Sequence, residues 1–263
     1  MITQLNNRAL LKLSGSDTQS FLQGQLSNDI DALEEGRVQI NVYCQHQGKI
    51  IALLWVMKQA DDFYLSFPND LKAIVTQKLT MFKMMSAVDI IDMNDEFIQL
   101  GVVDESFDGA FKLNNQQSVA LVKTLDGIEL DDKSKWESAC IANDVAEVTL
   151  ATSEKFVPQL LNLDVDEVGV NFTKGCYPGQ EVVARLHYLG KSKRRLRQFE
   201  CEGEVNVGDE LIVTGSKSAK ASGIVVRRVQ LDGKSQCLAT VEVAYEDDKI
   251  TLNDADGAQL TRI

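Results

Sequence analysis

The chain has 263 residues, of which 44% are hydrophobic and 25% charged, an ordinary globular composition long enough for one large domain or two. A formal net charge of −12 argues against a protein that coats nucleic acid broadly. No apolar run of about 18 residues is present, so no transmembrane helix is expected, and the opening Met1 to Arg8 lacks a basic-then-apolar leader, which points to the cytoplasm.

The predicted elements begin with a strand from Ala9 to Gly15. Asp17 can cap a helix carrying Phe21, Leu22 and Leu26 on one face. Val38 to Cys44 alternates as a strand, Gln45 to Lys49 turns, and Ile50 to Lys58 returns as a buried strand. After Asp61-Asp62, Phe63 to Phe67 completes a meander. Asn69 or Asp70 then caps a helix through Leu71, Ile74, Val75, Leu79 and Phe82. Val88 to Asp92 and Phe97 to Val103 read as strands, 104–118 as loop, and Val119 to Thr124 as a short strand. A helix starting at Asp132 or Ser134 carries Trp136, Cys140 and Ile141. The stretch 151–175 reads as loop and short turns. Past Arg197, short runs at Phe199 to Val205, Glu210 to Thr214, Gly223 to Gln230, Gln236 to Tyr245 and Gln259 to Ile263 predict an all-β terminal unit.

Five widely spaced cysteines (Cys44, Cys140, Cys176, Cys201, Cys237) form no C-x-x-C pair, and the histidines are only His46 and His187. Neither a zinc site nor a disulfide framework is expected, and no residue set is assigned to a metal. Most of these thiols read as small buried hydrophobes.

Cys176 stands apart. It lies in Lys174-Gly175-Cys176-Tyr177-Pro178-Gly179-Gln180-Glu181, which joins a cation, two glycines, a thiol, an aromatic ring and an acid. Pro178 suits the first position of a helix on which Val182, Val183, Leu186 and Leu189 recur at helical spacing. A helix N-terminus, Lys174 and Arg185 would all favour a thiolate. Cys176 is therefore a candidate reactive thiol, with a purely structural loop residue as the alternative. Along one helix His187 would lie roughly 16 Å from Cys176, too far for a dyad. Gln180 and Glu181 either cap the loop's own backbone or wall a ligand cavity. From Lys174 to Arg197 there are seven cations against Glu181 alone. That run is either a solvated turn or a local anion site.

The eight-residue motif resembles the signature of the YgfZ family, K-G-C-Y-[ST]-G-Q-E, with Pro178 the one departure. Phe156-Val157-Pro158-Gln159 and Asn162-Leu163 are similar to the family's approach to that motif. The stretch Phe21-Leu22-Gln23-Gly24-Gln25-Leu26-Ser27-Asn28-Asp29-Ile30 resembles a segment shared with the glycine-cleavage T-protein aminomethyltransferases. The resemblance implies an α+β fold: a mixed aminomethyltransferase-like body over 1–197 and a small antiparallel β-barrel over 198–263. It implies an accessory protein that binds tetrahydrofolate or a derivative and supports iron–sulfur client enzymes and tRNA modification. RNA contact through 185–197 is a lesser reading.

The implied folate contacts are Trp136, whose ring could stack a pterin or aminobenzoyl group, and Arg8, where relatives carry a second Trp. The motif residues Lys174, Gly175, Cys176, Tyr177, Gly179, Gln180, Glu181 and Arg185 would shape the cavity wall. Two departures tell against the alternative of a tetrahydrofolate-dependent aminomethyltransferase or other one-carbon transferase. The strand after Gly48 reads Ile50-Ile51-Ala52-Leu53-Leu54, where the transferases carry an essential Asp. Many relatives carry Glu-Ala-Gly soon after the Trp136 position, where this chain reads Ile141-Ala142-Asn143-Asp144.

Overall fold

The computed structural model describes residues 1–215 and 221–263. A five-stranded antiparallel sheet forms the first layer. In spatial order it runs β3 (Val38–Cys44), β4 (Ile50–Gln59), β5 (Asp62–Pro68), β2 (Arg8–Ser14) and β6 (Asp89–Asp92). Helices α1 (Thr18–Gln25) and α2 (Lys72–Phe82) pack on one face. A second sheet pairs β1 (Ile2–Gln4), β7 (Ile98–Val103), β9 (Gln117–Val122) and β8 (Phe111–Lys112), and α3 (Lys133–Ala142) packs beside it. After α4 (Gln180–Leu189) comes a closed six-stranded antiparallel barrel. Its strands are β10 (Arg194–Glu202), β11 (Glu210–Val213), β12 (Gly223–Leu231), β13 (Lys234–Glu242), β14 (Ile250–Leu252) and β15 (Gln259–Arg262). The α+β class and the terminal barrel agree with the sequence. Among the described residues no helix is long and apolar enough to cross a membrane.

Strand β4 ties the layers together. Ala52, Leu54 and Val56 face the α1–α2 core, while Leu53 joins the cluster around Tyr177 and Val183, and Trp55 and Met57 join that around Trp136. Both faces are buried, so the strand is an unbroken apolar run rather than an alternating one.

Several local expectations are corrected. Asp17 makes no cap bond to α1; its Oδ2 accepts from the amide of Ala87 at 2.8 Å instead. Neither Asn69 nor Asp70 caps α2, which begins after a short 3-10 turn, and Asp70 accepts from the amide of Leu150 at 2.9 Å. Tertiary acceptor demand outweighs the local cap at both places. Asp132 does cap α3, accepting from the amide of Ser134 at 2.7 Å. Pro178 is not the first helical residue; Gly179 is the N-cap and α4 starts at Gln180. The barrel's first strand begins at Arg194, before the expected boundary between 197 and 198. The three-residue β14 carried too little pattern to be read from sequence. Gln236 to Tyr245 does not end as strand, because Val243–Tyr245 is a 3-10 turn.

Candidate functional site

The motif loop is seated on the β3–β4 turn. That turn closes with the Gln45 amide donating to the Lys49 carbonyl and the Gly48 amide donating to the Gln45 carbonyl, each at 2.9 Å. Gly179, at φ 84°, lies directly on it: a Cβ there would sit 2.5 Å from Gln45 O and 2.7 Å from Gly48 Cα. Gly48 has φ 73°, and a Cβ on it would press on Val182 and Val183. Two positive-φ glycines therefore meet backbone to backbone, a contact side chains would block. Tyr177 fills the space behind, 6% exposed, in one cluster with Cys44, Ile50 and Val183. Burial raises the Tyr177 hydroxyl above its ordinary value and pushes the Cys44 thiol up to about 12.

Lys174 does not point at the thiol. Its ammonium donates to the carbonyls of Gln23 and Leu26, each at 2.6 Å, and of Asn28 at 3.0 Å. Burial, opposed by Asp29 and Asp31, lowers its pKa to about 8. The side chain of Asn171 shapes the approach, its Oδ1 accepting from the Thr173 and Lys174 amides at 2.8 and 2.9 Å. Ser27 and Asn28 complete the seam. Ser27 Oγ donates to the Gly169 carbonyl at 2.5 Å and accepts from the Val42 amide at 2.8 Å, and Asn28 Nδ2 donates to the carbonyls of Glu167 and Val168, each at 3.3 Å. The two stretches that carry the sequence resemblance, 21–30 and 174–181, are thus joined in space.

Cys176 is exposed, and so is Gly175, whose surroundings are open. The other four cysteines are buried and none is in a disulfide. Among the described residues no side chain hydrogen-bonds Cys176. His187 instead stacks on Phe172, centroids 3.7 Å apart, with Nδ1 3.9 Å from Asp164 Oδ2. Gln180 donates its amide to the Tyr177 carbonyl at 3.2 Å, while Glu181 and Arg185 are exposed. The expected support of a thiolate by Lys174 is corrected: three carbonyls already hold that ammonium.

A second cluster gathers around Trp55. The Arg8 guanidinium lies 3.5 Å from the centroid of the Trp55 ring. Arg8 donates to Ser66 Oγ (2.8 Å), Ser66 O (2.9 Å) and Glu147 Oε1 (2.8 Å). Trp136 meets Trp55 edge-on at 6.1 Å. It is only 1% exposed, and the backbone of Gly101 packs on its six-membered ring. Arg227 donates to Glu137 Oε2 at 2.5 Å and lies 3.4 Å from Glu147 Oε1. Burial alone would raise the Glu147 carboxyl, but Arg227 and Arg8 outweigh it and hold it below its ordinary range. The sequence brings Trp136 and Arg8 forward but misses Trp55, Glu137, Glu147 and Arg227. Glu147 lies just beyond Asp144, so an acid does follow Trp136 here, and it is spent on two arginines.

A groove of about 490 Å³ opens beside this cluster, lined by Asn7, Lys133, Glu137, Glu147, Arg227 and Arg228 among others. Neither Trp136 nor Arg8 lines it. Both are buried, so the face of Trp136 expected to stack a ligand is not open to the groove. Among the described residues the buried Nε of Arg227 has no hydrogen-bond partner. Among the described residues no group of His, Cys, Asp and Glu is placed to hold a metal ion.

No family model matches the chain. An uncharacterized protein of Haemophilus influenzae is 29% identical over 87% of this chain and 84% of its own length. The tRNA-modifying protein YgfZ of Pectobacterium carotovorum is 27% identical over 88% of this chain and 80% of its own, and that of Photobacterium profundum 25% identical over 95% and 85%. The chain is a relative of the YgfZ proteins. The glycine cleavage aminomethyltransferase T of Bartonella henselae superposes with a TM-score of 0.72 at 13% identity, over 100% of this chain and 84% of that one. This YgfZ relative therefore has the aminomethyltransferase fold.

In this YgfZ relative, Gly179→Ala places a side chain at positive φ and against Gln45 O, a strain of about 1–3 kcal/mol before any clash. Its denaturation midpoint is expected to fall, whereas Gly175→Ala, with nothing in the way, is near neutral; equal effects would contradict the seating.

Glu147→Gln is expected to cost about 3–5 kcal/mol at neutral pH by leaving two arginines underpaired. Because the folded carboxyl lies below its ordinary value of 4.5, its contribution is present above that pH and lost as pH falls through the folded value. The gap between wild type and variant, measured by urea denaturation, should therefore narrow below about pH 4.5. A gap that stays constant would show that Glu147 is not ionised in the fold.

Proposed function

We propose that this protein is a cytoplasmic accessory factor of YgfZ type that supports tRNA modification by sustaining iron–sulfur client enzymes. The observation that carries the reading is the exposed Cys176 on a loop held at three points: Lys174 by three carbonyls, Tyr177 by the core and Gly179 by the β3–β4 turn. A rigid loop presenting one free thiol suits contact with a client's metal centre or cysteine more than a self-contained active site. The body would carry the thiol and the groove; the barrel, from β10 onward, would close the groove through Arg227 and Arg228.

The aminomethyltransferase reading finds no support at β4. Ile50 to Leu54 are all buried apolar residues, so the acid that transferases place there has no substitute on this strand. Shared fold alone does not carry an activity.

A reduced folate is the ligand proposed for the groove. Lys133 and Arg228 offer donors to its carboxylates, and the volume is in the range of small-molecule sites. Neither tryptophan beside the groove offers it an open face, because Arg8 covers Trp55 and Trp136 is buried. Binding is accordingly expected to be weak. Calorimetry with tetrahydrofolate should give a Kd between about 1 µM and 1 mM that weakens in Lys133→Ala and Arg228→Ala. Absence of heat at millimolar folate, or nanomolar affinity, would remove this part of the reading.

The accessory role is tested in cells lacking the protein. Wild type should restore tRNA modification and iron–sulfur enzyme activity, and Cys176→Ala should restore neither while melting like wild type, since an exposed thiol fills no core volume. Full rescue by Cys176→Ala would defeat the role given to the thiol.

A further inference from the structure

The seven cations between Lys174 and Arg197 have two fates. Four are used inside the molecule. Lys174 holds carbonyls, Arg194 pairs with Glu242 (3.0 Å), Arg195 with Asp164 (2.5 Å) and Arg197 with Glu246 (2.7 Å). The other three, Arg185, Lys191 and Lys193, are exposed and make no ion pair among the described residues. They lie on α4 and in the few residues after it, next in sequence to an aromatic cluster at the C-terminal end of the helix. Phe172 stacks nearly parallel on His187, 19° between planes, and Tyr188 meets both rings edge-on. Tyr188 is 64% exposed and Leu189, which the helical spacing would place in the core, is 84% exposed.

We propose that this end of α4, with Phe172 against it, is a docking surface for single-stranded RNA. Flat bases can stack on Tyr188 and pack on Leu189, while phosphates reach Arg185, Lys191 and Lys193. From Val182 to Arg197 there is no carboxylate, and Glu181 is the one acid on α4. The net charge of −12 does not forbid this. Exposed charges are screened beyond about 8 Å at physiological salt, so a strand on this surface feels the local cations more than remote acids. Three cations set a modest affinity and a shallow salt dependence, unlike a protein that coats nucleic acid. The inference rests on this surface alone and not on the folate or iron–sulfur reading.

The test is fluorescence anisotropy of a labelled uridine oligonucleotide of about twelve residues against the full chain, across a salt series. Three phosphate contacts predict a slope of log affinity against log salt near −2, at about 0.7 per contact on a single strand. Tyr188→Ala should weaken binding about tenfold at fixed salt. Lys191→Glu with Lys193→Glu should flatten the slope by more than about 1. All three positions are exposed, so unchanged circular dichroism is expected to accompany these losses. No saturable binding at 50 mM salt, binding that all variants retain, or competition by a polyglutamate peptide as strong as by RNA would overturn the proposal; the last would mark a surface for an acidic protein instead.

Discussion

The presentation of the motif loop depends on one close approach, the backbone of Gly179 against the backbone of Gly48. Without it the loop could not lie on the β3–β4 turn, Tyr177 could not reach the cluster around Cys44, and α4 would not start where it does. The contact is short because neither partner carries a Cβ, and both adopt the positive φ that only glycine takes without strain. It couples the motif to β4, the strand on which every core cluster of the body converges. A thiol mounted on such a seat is carried by a loop packed on the buried body of the fold.

Lys174 extends the same logic to the other side of the loop. Its burial costs solvation, which is why its pKa falls to about 8, and three carbonyls at the end of α1 and beyond recover much of that loss. The lysine is thus a staple between two chain segments far apart in sequence. It supplies position, and Cys176 is left open to solvent. A thiol whose surroundings are rigid but whose own face is free is suited to meeting another molecule.

The cluster at Arg8 shows a different use of charge. Two arginines and two glutamates, Arg8, Glu147, Arg227 and Glu137, neutralise one another around Trp55. Removing any one would strand a buried charge, so the set behaves as a unit. Its members come from β2, the loop after α3, α3 itself and the barrel strand β12, so it also fastens the barrel to the body. That fastening occupies the acid and the aromatic faces that a tightly held folate would want.

Much was legible without coordinates. The meander, α3 starting at Asp132 or Ser134, the all-β terminal unit and the peculiarity of Cys176 all follow from periodicity, turn residues and one dense motif, because these are local properties of the chain. What the sequence by itself could not decide was partnership across distance. Seven cations close in sequence look like one basic surface, yet Lys174 is held by carbonyls, Arg194, Arg195 and Arg197 find Glu242, Asp164 and Glu246, and among the described residues Arg185, Lys191 and Lys193 make no ion pair. Trp136 looks the same in sequence whether it is exposed or buried; Gly101 and Trp55, brought to it by the fold, seal it. Asp17 and Asp70 have the chemistry of helix caps, but amides from Ala87 and Leu150 compete for them and win. Charges and polar groups take whichever partner the tertiary structure brings within about 3 Å, and that is set by the packing of β4 and the barrel, not by neighbours along the chain.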